Sequence, residues 1–379
     1  MSAPIERLTE QDYGALLPFL DRAFGFDPQQ NGFLTFLPKL YRREAEPWRY
    51  NLAVRDPADG SLAAVLGVYP LDLTVAGRRL SCAALGNMAV EERSRGQGLM
   101  TDLMRAAVAQ CRADGYDLAV LGGQRQRYAT FGFEPTGADR TFRLTDANLR
   151  HCFGNSPCDV TVRAVSADDP LLPFLARLHD RQPLRAARAP SRFYDILCSW
   201  DYRPFVALRE GRPIGYFLRK GDELREPTLA DAVNLFPILR AARNRGETLT
   251  LILSPWETEL CLAASAVAEE VGRLQWERFA VFRFAPVLQA LADLTADRHR
   301  GLPSGVLTVS VEGAETLTVT VSDGAVTVRE STDRPKLTLS YSDAMAFFFS
   351  DLSASREACD DPLRWLFPLP LSLRMADHA

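Results

Sequence analysis

A pair of glycines between an apolar strand and an amphipathic helix is the feature that most constrains this fold. The run GNMAV leads into the loop EERSRGQGLM, residues 91–100, which contains Gly96 and Gly98. Apolar residues then recur at helical spacing from Leu99 to Cys111, the stretch ADG ends that helix, and YDLAVLGG has the composition of a buried strand. The sequence therefore predicts a strand, a glycine loop, a helix and a strand in succession, as in an α/β fold.

Two common phosphate-binding loops do not fit this glycine pair. A Walker loop needs a lysine directly after its last glycine, and a dinucleotide fingerprint needs a third glycine where Thr101 stands. What remains is a turn that lets the backbone approach an anion, at the start of a helix whose unpaired N–H groups face the same point. Arg93 and Arg95 add positive charge beside it. The loop therefore predicts a diphosphate site.

A later segment repeats the first pattern without its glycine loop. RPFVALREGRPIGYFLRKG resembles NLAVRDPADGSLAAVLGVYP, and LFPILRAARNRGETLTLILS resembles LMRAAVAQCRADGYDLAVLG. We infer a tandem duplication in which one copy has lost its ligand loop, with chance similarity of α/β patterns as the alternative. From about Phe282 the pattern changes to a β-meander with Glu-Gly and Asp-Gly turns. Three domains are predicted, at 1–150, 151–285 and 286–379.

Charge and composition argue against several classes of partner. The net charge of -4 argues against a general nucleic-acid binder. The N-terminus has no cationic head before an apolar core, and no apolar run approaches the roughly 20 residues of a membrane span. Seven cysteines without a CxxC pair and four scattered histidines offer no metal spacing. We expect a cytoplasmic protein with no metal, no nucleic-acid partner and no membrane partner.

In this context the glycine loop resembles a known signature. Arg93-x-x-Gly96-x-Gly98 after a strand is similar to the acetyl-CoA signature of the GNAT superfamily of N-acetyltransferases, and YATFGF, residues 128–133, looks like the Tyr-x-x-x-Gly-Phe element of its members. The order of the whole chain resembles the enhanced-intracellular-survival (Eis) family of bacterial N-acetyltransferases. This resemblance implies an α/β (α+β) architecture of tandem GNAT folds, the second degenerate, with a C-terminal sterol-carrier-protein-like domain. It also implies acetyl-CoA as cosubstrate and assembly into a homo-hexamer.

The resemblance assigns the cosubstrate to one stretch of chain. The backbone at the end of the strand would hydrogen-bond the pantetheine and polarise the acetyl carbonyl. The loop that follows would clamp the diphosphate. The expected cofactor-binding residues are Met88, Ala89, Val90, Arg93, Arg95, Gly96, Gln97, Gly98 and Leu99.

Two catalytic groups are expected. Tyr128 is the candidate general acid for the leaving thiolate, with simple packing beside Phe131 and Phe133 as the alternative. In the resembled family the chain's own terminal carboxylate enters the active site, and an aromatic residue often ends the chain. Here the chain ends in Ala379. Its carboxylate is the candidate base, and His378 as base or a disordered tail are the alternatives.

The amine acceptor is expected beside AFGFDPQQNGF. Phe24, Phe26, Asp27 and Phe33 could form an aromatic pocket with one carboxylate for a cationic amine, with packing in a core as the alternative. The resemblance implies acetyl transfer to a primary amine of an aminoglycoside- or polyamine-like molecule, or to a lysine side chain. A non-catalytic acyl-CoA or lipid-binding protein is the competing hypothesis, in which Tyr128 has no chemical role.

Overall fold

The computed structural model describes residues 4–27, 32–154, 158–243, 246–299 and 301–379. In chain order its α-helices are α1 (Tyr13–Phe24), α2 (Gly32–Phe36), α3 (Pro38–Tyr41), α4 (Leu99–Ala113), α5 (Arg125–Tyr128), α6 (Asp146–Phe153), α7 (Leu172–Asp180), α8 (Phe193–Cys198), α9 (Leu235–Ala242), α10 (Thr258–Ser265), α11 (Phe284–Leu294), α12 (Tyr341–Phe349) and α13 (Ala354–Ala358). Its strands are β1 (Ile5–Arg7), β2 (Asn51–Arg55), β3 (Leu62–Val75), β4 (Arg78–Val90), β5 (Leu118–Gly122), β6 (Glu134–Pro135), β7 (Asp139–Leu144), β8 (Val160–Ala164), β9 (Leu184–Ala186), β10 (Arg203–Arg209), β11 (Arg212–Lys220), β12 (Glu223–Leu229), β13 (Leu249–Leu253), β14 (Glu270–Leu274), β15 (Glu277–Val281), β16 (Gly305–Val311), β17 (Thr316–Ser322), β18 (Ala325–Glu330) and β19 (Leu337–Leu339).

The chain divides into two compact units. The first comprises residues 1–136, 276–370 and 378–379, and the second comprises 137–275 and 371–377. The last two residues therefore belong to the first unit, whereas the seven residues before them belong to the second. The three predicted domains group the chain differently and stay a prediction.

The main sheet of the first unit runs in the order β1-β2-β3-β4-β5-β15-β6. Its neighbours pair antiparallel except β4 and β5, which pair parallel. Helix α4 buries Leu103, Ala107 and Cys111 against this sheet because apolar residues at four-residue spacing share one helical face. The predicted strand, glycine loop, helix and strand are confirmed as β4, the loop, α4 and β5.

The sheet of the second unit repeats that arrangement. Its order is β8-β10-β11-β12-β13-β7-β14, with β12 and β13 parallel and the other neighbours antiparallel. Between β12 and α9 stands a 3-10 turn, Ala232–Asn234, whose first N–H groups are capped by the Asp231 carboxylate. The predicted fold class, with its second copy lacking the glycine loop, agrees with this repeated topology.

A smaller sheet, β18-β17-β16-β19, belongs to the first unit together with α11, α12 and α13. The predicted β-meander is confirmed as β16, β17 and β18. Helix α12 begins at Tyr341 under the cap of Ser340 and buries its three consecutive phenylalanines, Phe347, Phe348 and Phe349. The sterol-carrier-protein-like character of this part stays a prediction. Among the described helices, none is both long enough and apolar enough to span a bilayer.

Candidate active site

A bulge opens the sheet of the first unit near the end of β4. Val65 pairs with Ala89, and Gly67 pairs with Gly86, so two residues of β4, Asn87 and Met88, lie opposite one residue of β3. Asn87 adopts a left-handed conformation with φ 47°. The bulge interrupts the regular pairing at Asn87 and Met88, and so includes the first of Met88, Ala89 and Val90, the residues predicted to hold the acetyl and pantetheine groups.

The glycine loop follows β4 and ends on the first turn of α4. Gly96 has φ 79° and Gly98 has φ 81°, conformations that side-chain-bearing residues rarely adopt. Gly98 is the N-cap of the 15-residue helix α4. No side chain caps the N–H groups at the N-terminus of this helix. This geometry fits an anion, because unpaired N–H groups and the positive end of the helix dipole point to one place.

A cleft of about 600 Å³ connects the β4 end to this loop. Seven of the predicted cofactor residues line it, and five further residues join them. The lining residues are Ala23, Phe24, Met88, Ala89, Val90, Ser94, Arg95, Gly96, Gly98, Leu99, Met100 and Arg127.

The two predicted arginines have different surroundings. Arg95 lines the cleft. Arg93 donates to the Asp59 carboxylate and to Ser61 Oγ, both at 2.7 Å, and lies 3.2 Å from Asp56. Its positive charge is thus compensated by the turn between β2 and β3. Arg127 supplies a second cation in the cleft, and its position next to Tyr128 in the sequence is the signal that could have identified it.

Tyr128 ends the short helix α5 and is half-buried against the core of the first unit. Arg127 beside it lines the cleft, whereas Tyr128 does not. A Cβ at Gly123 would lie 2.6 Å from its ring, so the glycine leaves room for the phenol. Burial raises the pKa of Tyr128, and the neighbouring Arg127 partly offsets that effect. The phenol is therefore protonated at neutral pH, which is the state that a proton donor requires.

The last residue of the chain lies against β4. A Cβ built on Gly86 would stand 2.6 Å from the terminal carboxyl carbon of Ala379 and 2.8 Å from its oxygen. The terminal carboxylate is thus in contact with the strand one residue before the bulge. Gly86 lies two residues before Met88, the first of the residues predicted to hold the acetyl group.

His378 is held by three neighbours in the first unit. Its Nε2 lies 2.6 Å from Glu277 Oε1, its ring lies 4.3 Å from that of Trp276, and its carbonyl oxygen accepts a hydrogen bond from Lys39 Nζ. Both His378 and Lys39 are buried. These contacts fix the residue that precedes the terminal carboxylate, and they engage Nε2 of the histidine that the alternative hypothesis names as the base.

Replacing Gly86 by alanine tests the contact between β4 and the tail. The added methyl group overlaps the Ala379 carboxyl group, so the tail must move, and we expect kcat to fall about tenfold or more at unchanged KM for acetyl-CoA. Steady-state kinetics measure this. Gly14→Ala is the control, because a Cβ there meets nothing within 4 Å. Wild-type kcat in the Gly86→Ala enzyme would contradict the placement of the tail.

The predicted aromatic pocket is divided between core and cleft. Phe33 is only 2% exposed and packs with Phe24, Phe26 and Tyr41 at ring distances of 5.0, 5.9 and 4.9 Å. Its N–H donates to the buried Asp21 carboxylate. Phe24 is 46% exposed and lines the cleft. Phe24 is therefore the aromatic of this group best placed for an acceptor.

The two other members of the predicted substrate group, Phe26 and Asp27, are more exposed than Phe33. Phe26 is half-buried and Asp27 is exposed. Residues 28–31 of the same predicted segment lie outside the described residues. The assignment of these side chains to the substrate stays a prediction.

Sequence reasoning missed a polar network behind the bulge. Asn87 Nδ2 donates to Asn51 Oδ1 at 2.9 Å, Asn51 Nδ2 donates to Tyr69 Oη at 3.1 Å, and Tyr69 donates to Tyr41 Oη at 2.9 Å. Burial raises the pKa of Tyr69 to about 12 and that of Tyr41 well above its ordinary value. The network braces the bulge with neutral groups. Asn87, the polar residue within the apolar run LGNMAV, is the signal that pointed to it.

In the described part of the chain, no group of three or more His, Cys, Asp and Glu residues could hold a metal ion. The polar groups of the site are suited to proton transfer and anion binding. Tyr128, the Ala379 carboxylate, the loop N–H groups and two cleft arginines are the groups available for it.

In a comparison with known proteins, a family model matches the first part of the chain. Residues 4–136 match the family model of the acetyltransferase (GNAT) domain. No curated protein sequence matches the chain.

Three solved structures share the fold over most of both chains. A probable N-acyltransferase of Enterococcus faecalis has 14% identity and a TM-score of 0.69, covering 99% of this chain and 98% of its own. A GCN5-related N-acetyltransferase of Kribbella flavida has 16% identity and a TM-score of 0.64, covering 91% and 88%. Eis1 of Mycobacterium abscessus has 16% identity and a TM-score of 0.62, covering 91% and 89%. At these identities the likeness concerns the fold alone.

Proposed function

We propose that the chain, whose residues 4–136 match the acetyltransferase (GNAT) domain model, transfers the acetyl group of acetyl-CoA to a primary amine of a small cationic molecule, such as an aminoglycoside or a polyamine. The observation that carries the proposal is the contact of the Ala379 carboxylate with Gly86, beside the β4 bulge and the cleft. A carboxylate at this position both attracts a cationic amine and accepts its proton.

The glycine loop and the end of β4 would hold acetyl-CoA. The N–H groups of the loop and of the first turn of α4, with Arg95 and Arg127, suit the diphosphate. The backbone at Met88, Ala89 and Val90 suits the pantetheine amides and the acetyl carbonyl. The half-buried apolar side chains of Met88 and Val90 keep water away from that carbonyl.

Proton transfer accompanies two bond changes. The ammonium form of the acceptor first loses a proton to the Ala379 carboxylate, because an alkylamine of pKa near 10.4 is neutral in only about 0.04% of molecules at pH 7. The free amine nitrogen then bonds to the acetyl carbon. The carbon–sulfur bond breaks, the sulfur takes the Tyr128 proton, and the surplus proton left on the nitrogen restores Tyr128. A free phenol near pKa 10 and a thiol near 8.5 differ by about 2 kcal/mol. Burial raises the pKa of Tyr128 and adds to this cost, which a positioned hydrogen bond to the sulfur offsets.

The acceptor class is tested by release of free CoA thiol from acetyl-CoA. The panel contains aminoglycosides, polyamines, arylalkylamines and lysine peptides, and each product is checked by mass. We expect turnover with the first two classes and a mass gain of one acetyl group. Gly98→Ala is the matched control, expected to raise KM for acetyl-CoA because it strains a residue at φ 81°. Turnover confined to lysine peptides would contradict the proposed acceptor.

Four finer features follow from the family resemblance and stay predictions. They are an Eis-like identity, a sterol-carrier-protein-like third domain, assembly as a hexamer and a cytoplasmic location. The first of them is supported by the shared fold with Eis1 of Mycobacterium abscessus.

A further inference from the structure

Five charged side chains are buried together in the second unit. Arg188 forms bidentate ion pairs with Glu226, at 2.6 and 3.0 Å, and with Asp377, at 2.7 and 3.0 Å. Arg374 donates to Glu257 at 2.9 Å and lies 3.8 Å from Glu226. Each of these side chains is at most 5% exposed. We call this group the charged cluster.

The charged cluster binds the end of the chain to the second unit. Arg374 and Asp377 come from the tail, residues 371–377, whereas Arg188, Glu226 and Glu257 come from the body of that unit. Three further hydrogen bonds hold the start of the tail: Trp256 Nε1 to the Ser372 carbonyl, Ser372 Oγ to Asp139, and the Gly137 N–H to the Leu371 carbonyl. The tail is thus anchored along its length, and Asp377 is its last anchor.

The charges of the cluster require each other. Two guanidinium groups face three carboxylates, and a buried charge without a partner is costly. Burial raises the pKa of Glu226, but Arg188 and Arg374 outweigh this effect and hold that pKa below its usual range. Burial raises the pKa of Glu257. Removing one tail carboxylate therefore leaves Arg188 underpaired, so the tail and the cluster depend on each other.

The cluster lies where the second copy would have its own active site. In the first unit, Asn87 with φ 47° follows the pair Gly67–Gly86. In the second unit, Glu226 with φ 51° follows the pair Leu218–Arg225, and the pair Tyr216–Thr228 comes next. The two bulges occupy the same place in sheets of the same order and polarity. Glu226 is therefore the equivalent of Asn87.

The second copy has lost the features of an acetyl site at this bulge. Pro227 stands where Met88 stands in the first copy and has no N–H group to offer a carbonyl oxygen. Thr228, the equivalent of Ala89, accepts a hydrogen bond from Arg374 Nη1 at 2.9 Å. Tyr216 donates to Glu226 at 2.8 Å. The tail thus occupies the bulge of the second copy, as acetyl-CoA is proposed to occupy that of the first.

We infer that the former active site of the second copy is a tail clamp, in which Arg188 is a positioning residue that holds Asp377 so that the Ala379 carboxylate stays in place against Gly86. This inference rests on the proposed role of that carboxylate as base. Asp377 and Ala379 are two positions apart in the chain, a span of at most about 7 Å between their Cα atoms. Freeing Asp377 therefore removes the anchor that precedes the terminal carboxylate and leaves that carboxylate to the contacts of His378 with Glu277, Trp276 and Lys39.

The test variant is Asp377→Asn, with two readouts. Trimming by carboxypeptidase A, followed by mass, reports whether the last residues are held, and we expect it to become about tenfold faster. We expect kcat to fall about tenfold while KM for acetyl-CoA changes less than about twofold, because the cosubstrate residues are untouched. Asp169→Asn is the matched control, because Asp169 is a buried carboxylate of the same unit that is paired with Arg163 and makes no hydrogen bond to the tail. It should change neither readout.

A milder variant keeps the inference testable if Asp377→Asn is poorly folded. Thr228→Val keeps the shape of the side chain and removes the oxygen that accepts from Arg374 Nη1, so both readouts should move in the same direction by a smaller factor. Wild-type trimming and kcat in both variants would overturn the clamp.

Truncation separates the clamp from the proposed function. In a chain lacking residues 378–379, Asp377→Asn should cause no further loss of kcat, since the group through which the clamp acts is gone. Faster trimming with unchanged kcat would support the clamp as an anchor and overturn the role of the carboxylate as base. An equal loss of kcat in the truncated and full chains would overturn the positioning role of Arg188.

Discussion

Replacing the terminal carboxylate of Ala379 by a carboxamide is expected to lower kcat about a hundredfold or more and to leave acetyl-CoA affinity unchanged. The amide has the same shape, so the contact with Gly86 is kept while the proton acceptor is lost. General base catalysis contributes about 10²- to 10⁴-fold, and an alkylammonium acceptor depends on it strongly at neutral pH.

The carboxamide is made by ligating a synthetic C-terminal peptide, and the same ligation with a native carboxylate is the matched control. Calorimetry with acetyl-CoA measures affinity, and single-turnover kinetics measure the chemical step. Equal rates for amide and carboxylate would show that the terminal group is not the base. His378, whose Nε2 lies 2.6 Å from Glu277, would then be the next group to test.

Tyr128→Phe carries the second large expected effect, a fall in kcat of about 10- to 100-fold with acetyl-CoA affinity intact. The ring and its packing against the core of the first unit are retained, and only the hydroxyl is lost. Since burial raises the pKa of this phenol, the wild-type group is protonated at neutral pH and can supply a proton to the departing sulfur.

The control for this variant is Tyr116→Phe. Tyr116 packs against the same core and burial also raises its pKa, but it follows the C-terminal end of α4, at the other end of that helix from the glycine loop. Loss of kcat in Tyr128→Phe and not in Tyr116→Phe is the expected pattern. Identical kcat in wild type and Tyr128→Phe would reduce Tyr128 to a packing residue. Wild-type protein that binds acetyl-CoA without turnover would favour the competing hypothesis of a non-catalytic acyl-CoA or lipid-binding protein.

The parts of the fold that sequence predicted are governed by local rules. The end of β4, the glycine loop and the face of α4 follow from helical periodicity and from glycines that the structure places at positive φ. The meander β16 to β18 follows from alternation and tight turns. The repeated topology was visible as two matching patterns in one chain, because each copy has the same succession of strands and helices.

The parts that sequence did not predict depend on distant contacts. Strand β15 lies between β5 and β6, and β7 lies between β13 and β14. Neither pairing has a signal in the local sequence, because the position of each strand in its sheet is set by contacts with strands that are distant in the chain. The same is true of the charged cluster, where Arg188 and Asp377 form an ion pair although they are far apart in the sequence. Phe33 belongs to the core for a similar reason, because its neighbours are set by the packing of α1, α2 and α3.

Transfer of acetyl from acetyl-CoA to an amine is tested most directly by the mass of an acceptor amine that has been incubated with acetyl-CoA labelled in its acetyl group. We expect the acceptor to gain one labelled acetyl group per free CoA released, at a rate that depends on Tyr128 and on the Ala379 carboxylate. Acetyl-CoA binding in the cleft with no labelled acceptor from any amine class would contradict it.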